Sequence, residues 1–458
     1  MSSSTGLPEL ARSRVPDTVP LTGADCFLRA FDDEIRRKCG ASHASQLVLR
    51  LGPGLDMAAF RGLIADVAAA NPILHAPVRR RLGIGPPVFR LLPTRPGSVP
   101  RVDEHSHPGP PARTPDLFFQ RMNQRFDGRR GQLLHFDTVS YDGGQQGTDL
   151  AMTWLHLLFD GAGSEVFVRW LDECHRGLRS CGDLPADDVA SISGLPDGLS
   201  ARERGQRAMA WQASMTALGD SPPRSLAGPL SPVPQALRYR VDTLDERDTA
   251  RVLSRAREKA GFLTPMLYFL AASIRAHHVV YEARGLDARS YVVPLPVDLR
   301  PKGPEQAIFQ TRVSLLWFRV FPDVVKDFDT LLGELKRQRR SAIKDDLVIN
   351  GAIAMDYARY APMRVYAHMA RRAFRGELCS FFFAYTGEFA AGLEEFLGAK
   401  VLNAFHAPAV PPSPGSASAI GLYGGRMNVT HVYQHGVFSS SERERFREQM
   451  LADLLGDD

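Results

Sequence analysis

The chain has 458 residues, 44% hydrophobic and 23% charged, which excludes a wholly disordered protein and exceeds what one hydrophobic core usually serves. Its 39 glycines and 33 prolines show no repeat, so collagen-like and low-complexity readings fail. A formal charge of +5 on this length does not single out nucleic acid and suits an anionic small substrate or carrier as well.

Residues 1–17 read as a flexible tail without the apolar stretch of a secretory signal. A helix is expected over Pro20 to Arg37 and a strand over Gln46 to Leu51. A second helix is expected over Asp56 to Ala70, stopped by Asn71-Pro72. Ile73 to Arg90 reads as short strands and turns, and His105 to Arg113 as a loop by composition. Gln132 to Tyr141 and Asp149 to Leu158 are strand-like, and the glycines of DGGQQGT between them suit a hairpin. A glycine turn follows. Next comes a helix whose Val166, Phe167, Trp170, Leu171 and Cys174 form an apolar stripe.

From Gly182 to about Leu237 the pattern breaks, and its prolines mark a linker or exposed crossing. Beyond it, strands are expected at Leu237 to Val241, Ser290 to Val297, Val313 to Val320, Cys379 to Tyr385, Ile420 to Tyr423 and Met427 to Tyr433. Helices are expected at Asp245 to Ala260, Thr264 to Arg284, Asp327 to Ile343 and Ser441 to Leu455. The division is therefore a tail at 1–17, an N-terminal lobe at 18–180, a linker at 181–236 and a C-terminal lobe at 237–458. Both lobes are α/β, with mixed sheets and helices against them. No apolar run reaches the roughly 20 residues of a membrane span. The five cysteines form no C-x-x-C pair, so neither a structural metal site nor a disulfide framework is expected, and a reducing cytoplasm is the simpler setting.

The segment Trp154-Leu155-His156-Leu157-Leu158-Phe159-Asp160-Gly161 carries the chemistry. Strand alternation puts Leu150, Met152, Trp154, His156 and Leu158 on one face. Among apolar groups an imidazole stays neutral, so it can accept a proton at pH 7. Asp160 on the turn needs a cation if it is buried ionised, and Arg300, at the end of another strand, is the best partner. Gly161 and Gly163 allow a sharp bend.

HLLFDG, at His156 to Gly161, resembles the H-x-x-x-D-G signature of the chloramphenicol acetyltransferase-like superfamily. That group includes nonribosomal peptide condensation domains, plant BAHD acyltransferases and bacterial wax-ester synthases. Val19 to Phe27 (VPLTGADCF), Asn71 to Arg81, Val297 to Pro301, Cys379 to Phe389 and Leu422 to Val429 resemble further family segments, so the likeness covers nearly the whole chain. There are departures. Leu155 stands where the family's first histidine would be, no D-F-G-W-G segment appears, and GQLLHF at Gly131 to Phe136 replaces the wax-ester motif.

The resemblance implies a chloramphenicol acetyltransferase-like fold of two lobes with an active-site tunnel between them. It implies an acyltransferase in which His156 is the general base, with Asp160 and Gly161 completing the motif and Arg300 as its structural partner. A thioester on coenzyme A or on the phosphopantetheine of an acyl carrier protein would be co-substrate, with no bound cofactor and no metal. The acceptor would be a small-molecule hydroxyl or amine, and transfer would be direct, without an acyl-enzyme. Substrate or oxyanion groups would come from the Gly161 N–H, Trp154, Ser380, Tyr385 or Thr386. The alternatives are a condensation-type amide former with carrier-bound substrates and a non-catalytic interaction protein on the same fold. A monomer is expected.

Other residues admit plainer readings. His277-His278 suits helix packing better than a metal site. His431 and His435 flank Tyr433 and could line a cavity. The runs Lys336 to Arg340 and Arg79 to Arg81 are solvated faces, or docking points for a carrier or for coenzyme A phosphates. Gly83-Ile84-Gly85 lacks a dinucleotide fingerprint. Cys379 reads as buried rather than nucleophilic.

Overall fold

Buried apolar side chains fall into two large clusters. One gathers Leu47, Leu49, Phe60, Phe136, Trp154, Phe159, Phe167 and Trp170; the other gathers Leu270, Ile274, Tyr281, Tyr291, Phe318, Leu335, Phe381 and Met427. Each fully buried side chain of this size contributes roughly 1.5–3 kcal/mol, so each cluster is a core in its own right. The computed structural model describes residues 17–80, 85–94, 97–111, 113–182, 195–196, 198–227, 236–301 and 307–456. The tail expected over 1–17 (except Asp17), the pair Gly83-Ile84, and Pro229, Pro232 and Pro234 lie outside the described residues.

In chain order the first elements are β1 (Thr18–Pro20), α1 (Gly23–Lys38), β2 (Ala44–Leu51), α2 (Met57–Ala70), β3 (Val78–Arg80), β4 (Pro87–Arg90) and β5 (Arg101–His107). They are followed by α3 (Asp116–Met122), β6 (Leu134–Tyr141), β7 (Thr148–Leu155), α4 (Gly161–His175), α5 (Ala201–Leu218), β8 (Leu237–Leu244), α6 (Glu246–Ala260) and α7 (Pro265–Ala283). Next come β9 (Tyr291–Asp298), β10 (Val313–Val320), α8 (Pro322–Val325), α9 (Phe328–Lys344), α10 (Leu347–Ala358) and α11 (Met363–Arg372). The last are β11 (Phe382–Glu388), β12 (Glu395–Phe396), β13 (Ala399–Ala407), β14 (Ser416–Tyr423), β15 (Arg426–Gln434) and α12 (Ser440–Leu455).

The N-terminal lobe is built on a six-stranded sheet of order β12-β13-β2-β7-β6-β5. The C-terminal lobe holds a four-stranded sheet, β11-β14-β15-β8, and the β9–β10 pair; β1-β4-β3 forms a small separate sheet. The expected β6–β7 hairpin is present, in register from Leu134 opposite Trp154 to Ser140 opposite Thr148. Its connection needs glycine: Gly147 has a φ of +92°, and a Cβ there would stand 2.2 Å from the Leu51 carbonyl oxygen. None of the described helices is long and apolar enough to cross a membrane.

Four differences from the sequence reading have physical causes. The stretch 181–236 contains α5, which buries only Met215 and so shows no apolar period. His105 to His107 continue β5, an exposed edge strand paired in parallel with β6, so their polar composition reads as loop. Leu157 and Leu158 lie in the turn beyond β7, whose last strand residue is Leu155. Finally, β12 and β13 belong by sequence to the C-terminal half yet complete the N-terminal sheet, β13 pairing with β2 from Ala407 opposite Gln46 to Val401 opposite Leu51.

One short segment ties the lobes. Thr22 and Asp25 form a capping box at the start of α1. Asp25 Oδ1 then accepts from the Thr311 N–H at 2.8 Å, and the Thr22 hydroxyl donates to the Thr311 carbonyl at 3.2 Å. Burial pushes the Asp25 carboxyl up to about 6 against the pull of these hydrogen bonds.

Candidate functional site

His156 follows β7 and opens the turn into α4. Its backbone N–H donates to the His43 carbonyl at 3.0 Å, which fixes the turn against the residue preceding β2. The ring stacks on that of His43 with centroids 5.5 Å apart. His156 Nδ1 is buried and makes no hydrogen bond of good geometry. Burial holds the imidazole below its ordinary pKa, opposed by the carbonyls of His156 itself and Phe159 and by the Asp160 charge, so the ring is neutral at pH 7. With Nδ1 turned into the protein, Nε2 is the nitrogen left to meet a substrate.

His156 lines a cavity of about 320 Å³, within the range usual for small-molecule sites. Both lobes wall it: α1, His43, the turn after β7 and α4 on one side; β9, β10, α10, β11 and β14 on the other, with β13 between.

Asp160 is the N-cap of α4. Its Oδ1 accepts from the Gly163 N–H at 2.8 Å and its Oδ2 from the Arg312 N–H at 2.9 Å. Arg300 meets it as a fork: Nη1 donates to Oδ2 at 2.9 Å, and Nη2 lies 2.9 Å from Oδ1, within ion-pair range though off line for a hydrogen bond. The guanidinium also bonds Asp298 Oδ1 at 3.0 Å and the Ala307 carbonyl at 2.8 Å. Burial is the largest single influence and acts to raise the Asp160 carboxyl, but the Arg300 charge together with the hydrogen bonds from Arg300, Gly163 and Arg312 outweighs it and holds the group below the carboxylate range.

The glycines divide differently from the sequence reading. Neither Gly161 nor Gly163 takes a left-handed conformation. A Cβ on Gly161 would meet only Thr386 Cγ2, at 3.9 Å, whereas one on Gly163 would stand 2.3 Å from the Ile308 carbonyl oxygen. Gly163 is required for close approach. Gly161 and Ala162 begin a 15-residue helix whose first-turn N–H groups lack intrahelical acceptors, and both residues line the cavity.

Of the other expected groups, Tyr385 and Thr386 line the cavity. Trp154 lines it too, but its indole N–H is committed to the Phe159 carbonyl at 2.8 Å, so it braces the turn rather than offering a donor. Ser380 is a correction. It is fully buried away from the cavity, its hydroxyl accepting from the Val292 N–H at 3.1 Å, because Cys379 and Ser380 precede β11 and pack into the interior. Burial pushes the Cys379 thiol well up, which removes it as a nucleophile. His277 stacks on Phe381 at 3.6 Å and His431 on Phe446 at 3.9 Å, so both are packing groups.

Three cavity residues escaped the sequence reading. His43 follows no spacing rule. His406 sits on β13, which was not anticipated at all. Glu165 had a usable signal: it is four residues after Gly161, so the two share a helix face. Its Oε2 accepts from the Ala390 N–H at 3.0 Å, while its Oε1 is buried with no hydrogen-bond partner, 3.8 Å from His406 Nδ1. The Ser164 hydroxyl donates to the Gly161 carbonyl at 2.6 Å, so His406 Nε2, 2.9 Å from that hydroxyl, must carry the ring proton. Nδ1 therefore presents a lone pair toward Glu165, which favours a protonated carboxyl there. Burial pushes Glu165 up to about 8 and His406 down to about 4, in keeping with that arrangement.

Among the described residues, Asp103, His135 and Asp137 also converge. Arg121 already bonds both carboxylates, at 2.7 and 2.8 Å, and offsets part of their charge.

No protein-family model and no curated protein matches the chain. Solved structures do. The first condensation domain of the calcium-dependent antibiotic synthetase superposes with a TM-score of 0.70 at 16% identity, over 97% of this chain and 96% of that one. The trichothecene 15-O-acetyltransferase TRI3 of Fusarium sporotrichioides gives 0.67 at 13%, over 98% and 99%. Polyketide synthase associated protein 5 of Mycobacterium tuberculosis gives 0.58 at 14%, over 97% and 99%. The chain thus has the fold of this condensation domain and of this acetyltransferase. The expected fold class is met, and the likeness to condensation domains is one of fold.

Proposed function

We propose that the protein is an acyltransferase that moves an acyl group from a thioester to a hydroxyl or amine acceptor, with His156 as general base. The observation that carries this reading is a neutral imidazole whose Nδ1 is buried, at the wall of a cavity shared by both lobes. The fold shared with condensation domains and an acetyltransferase supports it.

The acceptor O–H or N–H lies against His156 Nε2. As its oxygen or nitrogen attacks the thioester carbonyl, Nε2 takes the proton, a step worth typically 10²–10⁴-fold. Negative charge forms on the carbonyl oxygen and is met by the Gly161 and Ala162 N–H groups at the positive end of α4. The intermediate collapses, the C–S bond breaks, and the thiolate recovers the proton from His156. No covalent enzyme intermediate is needed. Asp160 and Arg300 hold the turn and do not relay protons; holding both reactants in one cavity contributes much of the acceleration.

The donor is a thioester of coenzyme A or of a carrier protein's phosphopantetheine. A second reading, amide formation between carrier-bound substrates, is favoured by the likeness to a condensation domain. A non-catalytic role is disfavoured by the intact His156-Asp160-Gly161 arrangement. One chain supplies every wall of the cavity, so a monomer suffices. Transfer and hydrolysis assays with coenzyme A and with carrier thioesters, on wild type and His156→Ala, separate these readings. No transfer from either donor across a broad set of acceptors overturns the enzyme.

A further inference from the structure

A second cavity of about 340 Å³ lies beside the first, bounded by α5, α10, α11 and β10. Among the described residues, no Asp, Glu, Lys, Arg or His lines it. It is an apolar recess open to solvent, with Tyr357 and Met369 among its exposed lining residues. Here small side chains hold it open: Ala208, Ala354, Ala358, Ala361, Ala370 and Ala373 all face it.

The two cavities share walls. Phe27 on α1, Leu315 on β10 and Met355 on α10 line both. Along β10, alternate residues face the same way. Val313 lies in the His156 cavity, Leu315 in both and Trp317 in the second chamber. One strand face thus forms a continuous apolar floor of roughly 13 Å from reaction centre to chamber. Four polar groups of the first cavity, Glu165, Thr386, His406 and Ser418, come from α4, β11, β13 and β14, none of which borders the chamber; Asp298, paired with Val313, and Thr311 also line the first cavity.

Resting on the acyl-transfer reading, we infer that this chamber holds the hydrocarbon chain of the thioester donor, so that the donor carries a medium or long aliphatic acyl group. The thioester carbonyl sits at His156 and the chain runs over Leu315 to the space beneath Trp211 and Met215. The acceptor occupies the polar end. An aliphatic chain matches a lining without charge, and the shared floor of Val313, Leu315 and Trp317 gives it an apolar path.

The test measures binding of acyl-pantetheine thioesters from acetyl to dodecanoyl to the full chain carrying His156→Ala, which prevents turnover. Affinity is expected to rise on the order of a few-fold per methylene before reaching a plateau. Filling the chamber from two separate helices, with Ala354→Phe or Ala208→Phe, is expected to shrink the dodecanoyl-to-acetyl affinity ratio by at least about tenfold. Circular dichroism and a thermal melt identify any variant that does not fold, and the other then serves. An affinity independent of chain length, or a ratio unchanged in both folded variants, overturns the proposal. Length-dependent binding without transfer by the wild type supports the chamber and removes the acyltransferase. Transfer confined to acetyl donors retains the acyltransferase and removes the chamber.

Discussion

Arg300 reaches across 140 residues of sequence to place its guanidinium 2.9 Å from both oxygens of Asp160, and both side chains are buried. Asp160 in turn accepts the backbone N–H groups that start α4 and lead into β10. The pair is a knot between lobes, next to the base, and Asp160 itself borders the cavity.

Breaking one side of this knot strands a buried charge. Arg300→Ala is expected to lose about 3–5 kcal/mol of stability, and the Asp160→Ala/Arg300→Ala double variant less than the sum of the two singles. Because the Asp160 carboxyl is held below its unfolded value, its contribution is present above the ordinary carboxylate range and is lost as pH falls through the lower folded value. Denaturant titrations of wild type and variants at several pH values check both statements; additive single losses would remove the coupling.

His156→Ala is expected to keep its melting temperature within a few degrees while transfer falls on the order of 10²–10⁴-fold. The wild-type kcat/KM is expected to show an acid limb below the ordinary histidine value, since burial lowers the His156 pKa. Rates retained in the alanine variant would reassign the base.

Glu165 makes the fold sensitive at the alkaline side. Its pKa is raised to about 8, so the folded state binds a proton that the unfolded state has lost above about 4.5. Stability is fully present below the unfolded value and declines as pH rises toward about 8. Glu165→Gln, which stays neutral and keeps a donor, is expected to flatten that decline. Identical pH-stability curves for wild type and variant would show that Glu165 ionises normally.

Gly161→Ala and Gly163→Ala are expected to separate. The first meets only a van der Waals neighbour at 3.9 Å and should fold, whereas the second drives a methyl into the Ile308 carbonyl at 2.3 Å and should lose soluble protein or several degrees of melting temperature. Side-by-side expression and melting of the two variants decide it.

The path from β6 through β7 to α4 was legible because alternation, glycines and a 3.6-residue stripe agree there. The Asp160–Arg300 contact was legible because a buried carboxylate demands a cation and few strand ends offer one. α5 was not legible: with Met215 its only buried residue, it presents no stripe. β13 was missed along with His406, because Asn403 and Lys400 interrupt its apolar run and its sheet partner, β2, lies some 350 residues earlier. Glu165 was hidden inside an apolar helix, where only the face shared with Gly161 betrays it.

The return of β13 to the sheet of β2 bears on how the molecule is made. During synthesis β2 remains an open edge until residue 407 has left the ribosome, since the neighbour of Ala44–Leu51 on that side is Ala399–Ala407. The first lobe must therefore wait, incompletely roofed, while the second is threaded out. A nascent chain stalled before this strand would carry His156 with one wall of its cavity still missing.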